Sequence, residues 1–237
     1  SKGSPVTLRA PDTPGAYEVR YVLARKRRVL ASKPITVRPA ESSLTAPASV
    51  GIGKRFEVAW TGPAGDTDYI TIVPPGAKNT TYSSYAYVRQ GRQVSLRAPE
   101  KAGVYEIRYV TGQSRRILAR ARIEVKRIGA SVAAPAKVGL GTTFEVKFTG
   151  PANPRDFITI VKPGAKDAKF GSYQYARSGS PVRLNAPGVP GTYEVRYVLG
   201  VSKKVVARTT IQVVPVETSL SAADKVTVGN DVAVRWQ

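Results

Sequence analysis

The chain has 237 residues and a formal net charge of +21, and it contains no cysteine, histidine or methionine. These absences exclude a disulfide framework, a thiolate nucleophile, and both the commonest general base and the commonest transition-metal ligand. No apolar run approaches 18 residues, so no membrane span is predicted. The positive charge favours an anionic partner, but it is equally compatible with a solvated, well-charged surface.

Residues 1–40 contain the first copy of a basic ribbon. The segment YEVRYVLARKRRVLASKPITV, residues 17–37, alternates apolar and polar residues on both sides of a basic turn. This period of two predicts a β-hairpin, with Tyr17, Val19, Tyr21, Val29 and Ile35 facing a core. The ribbon returns as YEIRYVTGQSRRILARARIEV and again as YEVRYVLGVSKKVVARTTIQV. It therefore belongs to an internal repeat.

Residues 41–128 contain a complete repeat unit. Its apolar residues follow a period of two, glycine and proline turns separate the segments, and no capped helical window is present. We predict strands at 56–60, 69–73, 93–98, 105–110 and 117–125.

A spacing of 88 residues relates the copies without a gap. It separates Tyr17 from Tyr105 and Tyr105 from Tyr193, and likewise Asp68 from Asp156. The prediction is a tandem array with four parts. These are the C-terminal half of a repeat at 1–40, complete repeats at 41–128 and 129–216, and the N-terminal part of a further repeat at 217–237. Either the array continues beyond both ends, which we favour, or the two half-units complement each other.

Six or seven short strands in each unit predict an all-β fold of tandem immunoglobulin-like antiparallel β-sandwiches. A small barrel is the alternative. Tyr17, Tyr105 and Tyr193 each follow a glycine-containing turn, the position of a tyrosine corner whose hydroxyl bonds back to that turn. Connections such as IEVKRIGASV are short, so we expect a semi-rigid rod.

The segments APASVGIGKRFEVAWTGP, DYITIVPPGA and SPVRLNAPGVPGTYEVRYVLG resemble β-sandwich repeats of exported proteobacterial proteins. Such repeats often accompany von Willebrand factor A domains, although no segment of that domain is visible here. The resemblance implies a non-enzymatic accessory module that is periplasmic, on the cell surface or secreted. The basic balance departs from the acidic or near-neutral character that we associate with these motifs.

Basic side chains of the last hairpin form the candidate anion-binding or partner-binding surface. They cluster at its turn and on the face of its strands that the alternation predicts to point outward. Regular spacing suits a long anionic polymer, whereas edge-strand cations also prevent aggregation and pair with neighbouring glutamates such as Glu106, Glu124 and Glu194. The candidates are Arg20, Arg25, Lys26, Arg27, Arg28, Arg108, Arg115, Arg116, Arg120, Arg122, Arg196, Lys203, Lys204 and Arg208.

Two other features have a structural interpretation that we favour over a functional one. Asp68 and Asp156 are interpreted as turn residues rather than calcium ligands, because Pro154 replaces the second carboxylate of the first copy, Asp66. The alternating aromatic residues are interpreted as part of a half-buried strand, with stacking on sugars or bases as the alternative. They are Tyr82, Tyr85 and Tyr87, echoed by Phe170, Tyr173 and Tyr175.

The residue inventory therefore favours a non-enzymatic protein without cofactors or a metal site. The first hypothesis is a structural or adhesive module of a longer exported bacterial protein, which contacts protein partners or assembles with itself along a rod or fibre. The alternative is a module that binds a polyanion, such as nucleic acid, lipopolysaccharide or an acidic polysaccharide, through the basic face of the last hairpin.

Overall fold

A computed structural model describes residues 3–89 and 91–236, which form β-strands and a single turn of 3₁₀ helix. Within this described part of the chain, no helix is long and apolar enough to cross a membrane. The contacts divide the chain into two compact units, Ser1–Arg127 and Ile128–Gln237. The four-part division predicted from the repeat differs from these boundaries and remains a prediction.

The first unit begins with the predicted hairpin. Its strands are β1 (Gly15–Leu23) and β2 (Arg28–Val37), which pair antiparallel. The apolar residues that were predicted to face a core are largely exposed here, Tyr21 to 70% and Val29 to 43%. The hairpin therefore has the alternation of a sandwich strand pair while its apolar side remains accessible.

The rest of the first unit folds into two facing sheets. The smaller sheet contains, side by side, β3 (Ser43–Thr45), β5 (Arg55–Thr61) and β8 (Gln93–Arg97). The larger contains β4 (Ser49–Gly51), β10 (Ile117–Lys126), β9 (Gly103–Val110), β6 (Tyr69–Val73) and β7 (Tyr85–Tyr87). Neighbouring strands are antiparallel except β4 and β10. This is an immunoglobulin-like sandwich, so that prediction is confirmed and the barrel alternative is wrong.

The second unit has the same strand order. Its smaller sheet contains β11 (Ser131–Ala133), β13 (Thr143–Thr149) and β16 (Val182–Asn185). Its larger sheet contains β12 (Lys137–Gly139), β18 (Val205–Val214), β17 (Gly191–Val198), β14 (Phe157–Val161) and β15 (Tyr173–Tyr175). The 3₁₀ turn is Ala176–Ser178, and two short strands, β19 (Leu220–Ser221) and β20 (Arg235–Trp236), follow the sandwich.

The alternating residues of the two sheets form the core of each sandwich. Trp60 of β5 packs edge to face against Tyr109 of β9, with ring centroids 5.5 Å apart. Phe148 and Tyr197 repeat this contact at 5.7 Å in the second unit. Each large apolar side chain buried in this way contributes about 1.5–3 kcal/mol. These contacts across the core hold the larger sheet in place, and the outer face of that sheet carries Arg108, Tyr85 and Tyr87.

The tyrosine corners are confirmed. The hydroxyl of Tyr17 donates to the carbonyl of Thr13 at 2.8 Å, and that of Tyr105 donates to Lys101 at 2.9 Å. The Tyr193 hydroxyl donates to the carbonyl four residues before it at 3.0 Å. The bond also forms in the exposed hairpin, so the turn geometry does not depend on a surrounding core.

Candidate functional site

The prediction that Arg108 and Arg196 present exposed charges is wrong. Both lie on the outer face of the larger sheet, as the alternation indicates, but each is only 1% exposed. The loop between β6 and β7 covers Arg108, whose Nη1 donates to the carbonyl of Lys78 at 3.1 Å. The loop between β14 and β15 covers Arg196, whose Nη1 donates to Ala165 at 2.7 Å. These two guanidinium groups anchor loops.

Arg20, at the equivalent position of the first hairpin, shows what the covering loop contributes. Its Nε lies 2.5 Å from a carboxylate oxygen of Glu18, much as the Nε of Arg108 lies 2.6 Å from Glu106. The Arg20 side chain is nevertheless 57% exposed, because the described residues 3–40 contain no loop of that kind. The strand alone supplies the ion pair, and the loop supplies its burial.

Two glutamates neutralise further candidate cations. Glu106 contacts both Arg108 and Arg120, and Glu194 contacts Arg196 at 2.6 Å and Arg208 at 3.7 Å. Burial raises the pKa of Glu106, but hydrogen bonds and charge from Arg108 and Arg120 outweigh it, so the pKa lies below its ordinary 4.5. The alternative in which strand cations pair with these glutamates is therefore confirmed, and the expected row of free charge is interrupted.

The remaining candidate cations are exposed. One group lies at and beside the turn that joins β1 to β2, and similar groups lie at the turns after β9 and β17. Arg122 lies on the outer face of β10, where it alternates with the buried core residue Ile123. The exposed candidates are Arg25, Lys26, Arg27, Arg28, Arg115, Arg116, Arg122, Lys203 and Lys204.

The turns after β9 and β17 direct one cation each onto an aromatic ring. Arg115 and Lys203 both have φ of +57°, in the left-handed region. The Arg115 guanidinium carbon lies 5.7 Å from the ring centroid of Tyr69, and its Nη1 donates to that hydroxyl at 3.1 Å. The Lys203 ammonium lies 5.4 Å from the ring centroid of Phe157. These distances are within the range of cation–π attraction.

The ring of Tyr69 begins an aromatic ladder along β6 and β7. Centroid distances are 6.5 Å from Tyr69 to Tyr82, 5.4 Å from Tyr82 to Tyr85, and 5.6 Å from Tyr85 to Tyr87. All contacts are edge to face, and the last three rings are 57%, 46% and 45% exposed. Tyr85 and Tyr87 lie on a strand, β7, as interpreted, but their rings are on its exposed side and Tyr82 precedes the strand. Arg89 closes the ladder with its guanidinium carbon 4.7 Å from the Tyr87 ring centroid.

The second unit repeats the ladder with two phenylalanines. Phe157 lies 6.2 Å from Phe170, Phe170 lies 5.4 Å from Tyr173, and Tyr173 lies 5.6 Å from Tyr175, again edge to face. Phe170 is 56% exposed, while Phe157 is buried at the base of the ladder. Arg177 lies over the Tyr175 ring at 5.3 Å. Both sandwiches thus expose rings between cations.

A shallow pocket of about 270 Å³ lies against the second ladder. Lys203 lies over Phe157, and Arg155 precedes Phe157 by two residues, so positive charge gathers at that end of the pocket. Three partly exposed rings form the other walls. The lining residues are Arg155, Phe157, Ala168, Phe170, Tyr173, Tyr175 and Lys203.

The buried carboxylate of Asp156 fixes the positions of Arg155 and Lys203. Asp156 accepts hydrogen bonds from the backbone N–H of Gly200 and of Asn153, each at 2.9 Å, and from the hydroxyl of Tyr197 at 3.3 Å. It thereby joins the loop that carries Arg155 to the turn that carries Lys203. A Cβ at Gly200 would collide with the Arg155 backbone, so this approach requires glycine.

Asp68 makes the same connections in the first unit. It accepts from Gly65 at 2.9 Å, from Gly112 at 3.0 Å and from the Tyr109 hydroxyl at 3.4 Å. The interpretation of Asp68 and Asp156 as turn-organising residues is confirmed. Burial, together with the neighbouring Asp68 charge and despite the hydrogen bond from Ala64, raises the pKa of Tyr109 to about 12.

Sequence reasoning had named Lys203 and Arg115 but missed Arg155, Arg89 and Arg177. The available signal was the alternation of aromatic residues followed two positions later by arginine, in both copies. Arg155 gave no such signal, because it lies in a loop and Thr67 occupies the equivalent position of the first copy.

No family model and no curated protein matches the chain, so the resemblance to exported proteobacterial repeats remains a prediction. Among solved structures, a membrane-anchored protein from Corynebacterium diphtheriae is 12% identical, with a TM-score of 0.28 and coverage of 81% of this chain and 59% of that one. The human OSCAR ligand-binding domain is 15% identical, with a TM-score of 0.29 and coverage of 73% and 97%.

The Yersinia pseudotuberculosis adhesin InvE is 14% identical, with a TM-score of 0.31 and coverage of 74% of this chain and 58% of that one. The chain thus spans less than two thirds of two of these proteins. At such TM-scores the likeness carries no argument about function, and the fold assignment rests on the strand topology described above.

Proposed function

We propose that the chain is a non-enzymatic structural or adhesive segment of a longer exported bacterial protein, built from tandem immunoglobulin-like repeats of 88 residues. One observation carries this proposal. Strands β13 and β14 follow β5 and β6 at a constant offset of 88 residues, and the buried Asp68 and Arg108 have counterparts at the same offset. A fold that recurs along the chain together with its buried polar groups is typical of a tandem repeat array.

The first hairpin supports the array because it contacts the sandwich that follows it. The Asp12 carboxylate accepts from the backbone N–H of Ser114 at 2.9 Å, and Arg9 lies 3.5 Å from Asp66. Burial raises the pKa of Asp12, but hydrogen bonds from Ser114 and from neighbouring hydroxyls lower it below its ordinary 3.8. We infer that a loop of one repeat docks on the turn after β9 of the next.

The charged groups that a catalyst would need have structural partners instead. Asp68 and Asp156 hold turns, and Arg108 and Arg196 hold loops. The chain also lacks histidine and cysteine. These observations support a protein that acts through surface contacts, and the resemblance of the sequence supports export to the periplasm, the cell surface or the medium.

Polyanion binding is the second candidate, and the exposed turn cations favour it. Four consecutive basic residues, Arg25 to Arg28, project from the first hairpin, and pairs of cations project after β9 and β17. In contrast, Arg108 and Arg196 are buried, and Arg120 and Arg208 have glutamate partners. A continuous track for a phosphate backbone is therefore less well supported than separate sites.

Small-angle scattering of the 237-residue chain tests the array. A semi-rigid rod predicts a pair-distance distribution that is skewed, with a long tail that persists in high salt. A symmetrical distribution, as given by one globule, would overturn the rod. An ensemble too broad for any rigid arrangement would overturn it as well, because it indicates freely tethered beads.

A further inference from the structure

The aromatic pocket of the second sandwich has the composition of a binding site, which its structural role does not explain. Phe170, Tyr173 and Tyr175 are 56%, 43% and 39% exposed. An exposed aromatic ring leaves a large apolar area in contact with water, which is unfavourable. A continuous group of exposed rings therefore marks a surface that contacts a ligand or a partner. We propose that this pocket binds a sugar ring bearing a carboxylate, within an acidic polysaccharide.

The geometry of the rings favours a sugar. Successive rings along the ladder lie 5.4 and 5.6 Å apart, the ordinary spacing of rings in edge-to-face contact, so the face of one ring lies beside the edge of the next. Their planes cross at 71–82°, so they form a corner rather than a parallel slot. A planar base stacks best in a slot, whereas a puckered sugar ring offers C–H groups on several sides and fits a corner. The volume of about 270 Å³ also suits one ring.

The placement of charge favours an acidic sugar. Arg155 and Lys203 line the same pocket. Arg115 of the first sandwich donates to the Tyr69 hydroxyl at 3.1 Å, but Phe157 has no hydroxyl to accept from Lys203. The Asp156 carboxylate that positions both loops is buried, points its oxygens at Asn153, Tyr197 and Gly200, and does not line the pocket, so a ligand carboxylate would meet the two cations rather than Asp156.

The interrupted row of cations disfavours a nucleic acid. Affinity for a phosphate backbone grows with the number of phosphates that lysine and arginine neutralise. On the outer face of β17, Arg196 is 1% exposed and paired with Glu194, which also contacts Arg208. The strand cations are therefore paired with a glutamate, whereas Arg155 and Lys203 line the pocket, where one carboxylate beside a sugar ring could reach them.

Titration of the whole chain with short acidic oligosaccharides tests the proposal. The probes are oligomers of galacturonate, glucuronate and mannuronate, each with its methyl-esterified form, which keeps the sugar ring and removes the charge. Calorimetry at low salt should show binding of at least one acidic oligomer, several-fold tighter than its ester. Absence of binding to all three, equal affinity for acid and ester, or tighter binding of single-stranded DNA of equal charge would overturn the proposal.

Substitutions at exposed positions test whether the pocket of the second sandwich is the binding site. Tyr173→Ala should weaken binding about tenfold, by analogy with the loss of one stacking contact. Lys203→Asn, which keeps a residue that tolerates positive φ, and Arg155→Thr, which installs the residue of the first sandwich, should each weaken it about two- to five-fold. Lys147→Gln removes an exposed charge from β13 of the smaller sheet, outside the pocket lining, and should leave affinity unchanged. Equal losses in Lys203→Asn and Lys147→Gln would refute a specific carboxylate contact.

This inference deepens the proposed function by naming a class of partner. The scattering test of the array and the titration test of the pocket can fail independently of each other. A symmetrical scattering profile would refute the array while leaving the titration intact. Loss of sugar binding would refute the site while leaving the array intact. Circular dichroism of each variant confirms that a change in affinity does not reflect unfolding.

Discussion

Replacing Arg108 with methionine tests whether a buried ion pair holds the loop over the outer face of the first sandwich. Methionine keeps much of the length and apolar volume but leaves Glu106 without its buried partner. Breaking a buried pair by removing one member costs about 3–5 kcal/mol. The lower end of this range applies, because the Glu106 side chain is 20% exposed and keeps its contact with Arg120. We expect a loss of about 3 kcal/mol from the free energy of unfolding.

Arg120→Met is the matched control, because Arg120 contacts the same carboxylate with a side chain that is 51% exposed. A surface pair of this kind contributes about 0–1 kcal/mol. The measurement is urea unfolding followed by tryptophan fluorescence. Trp60 of the first unit is 5% exposed, so its emission changes on unfolding, whereas Trp236 is 80% exposed and contributes mainly a constant background. With an m-value of about 1–3 kcal/mol per molar urea, the Arg108→Met midpoint should fall by roughly 1–3 M.

Equal midpoints for Arg108→Met and Arg120→Met would refute the reasoning. That result would mean that the loop lifts in solution and that water reaches the guanidinium. Arg20→Met gives an internal standard, because the same strand pair exists there without the covering loop, and its effect should be as small as that of Arg120→Met.

Three further predictions follow from single contacts. Tyr105→Phe removes the hydroxyl bond to Lys101 and should cost about 1 kcal/mol in urea unfolding, without loss of the near-ultraviolet spectrum. Asp156→Asn replaces a charged acceptor for Gly200 and should lower the unfolding free energy of the second unit by about 1–3 kcal/mol, measured as earlier loss of amide protection at that turn. Because burial raises the pKa of Tyr109 from 10.0 to about 12, its stabilising contribution is complete below pH 10 and lost as pH rises towards 12. Tyr109→Phe should flatten the dependence of the first unit's stability on pH in that window, and an unchanged slope would contradict the assignment.

The sequence was sufficient for elements whose signal is local. The segments predicted at 69–73 and 117–125 match β6 and β10 to within a residue, because a period of two over five or more residues has few alternatives. Tyr105 was identified as a corner because its partner lies four residues away in the same turn. The three-residue strands β3 and β4 were missed, because a strand of that length is too short to show a period, whereas β7 was predicted from its alternating tyrosines.

The burial of Arg108 could not be predicted from the sequence, because alternation assigns a residue to a face of the sheet but does not show which loop covers that face. The covering carbonyl of Lys78 lies 30 residues away, in a loop with no periodic signal. The same limit applies to the pocket, where Arg155, Phe170 and Lys203 come from three separate segments. The approach of Arg155 to Lys203 depends on Asp156, whose role as a turn residue could be predicted while its partner at Gly200 could not.

The comparison between the two sandwiches separates framework from contact surface. Asp68 and Arg108 recur unchanged in the second copy, whereas Thr67, Tyr69 and Arg115 become Arg155, Phe157 and Lys203. The charged end of the ladder therefore differs between the copies, while Asp68 and Asp156, which position that end, are the same residue. Under the proposed binding, a common framework that holds different cations beside each aromatic ladder would give each unit its own affinity. In a tandem array, weak sites of this kind gain strength through effective concentration, which a single sandwich cannot provide.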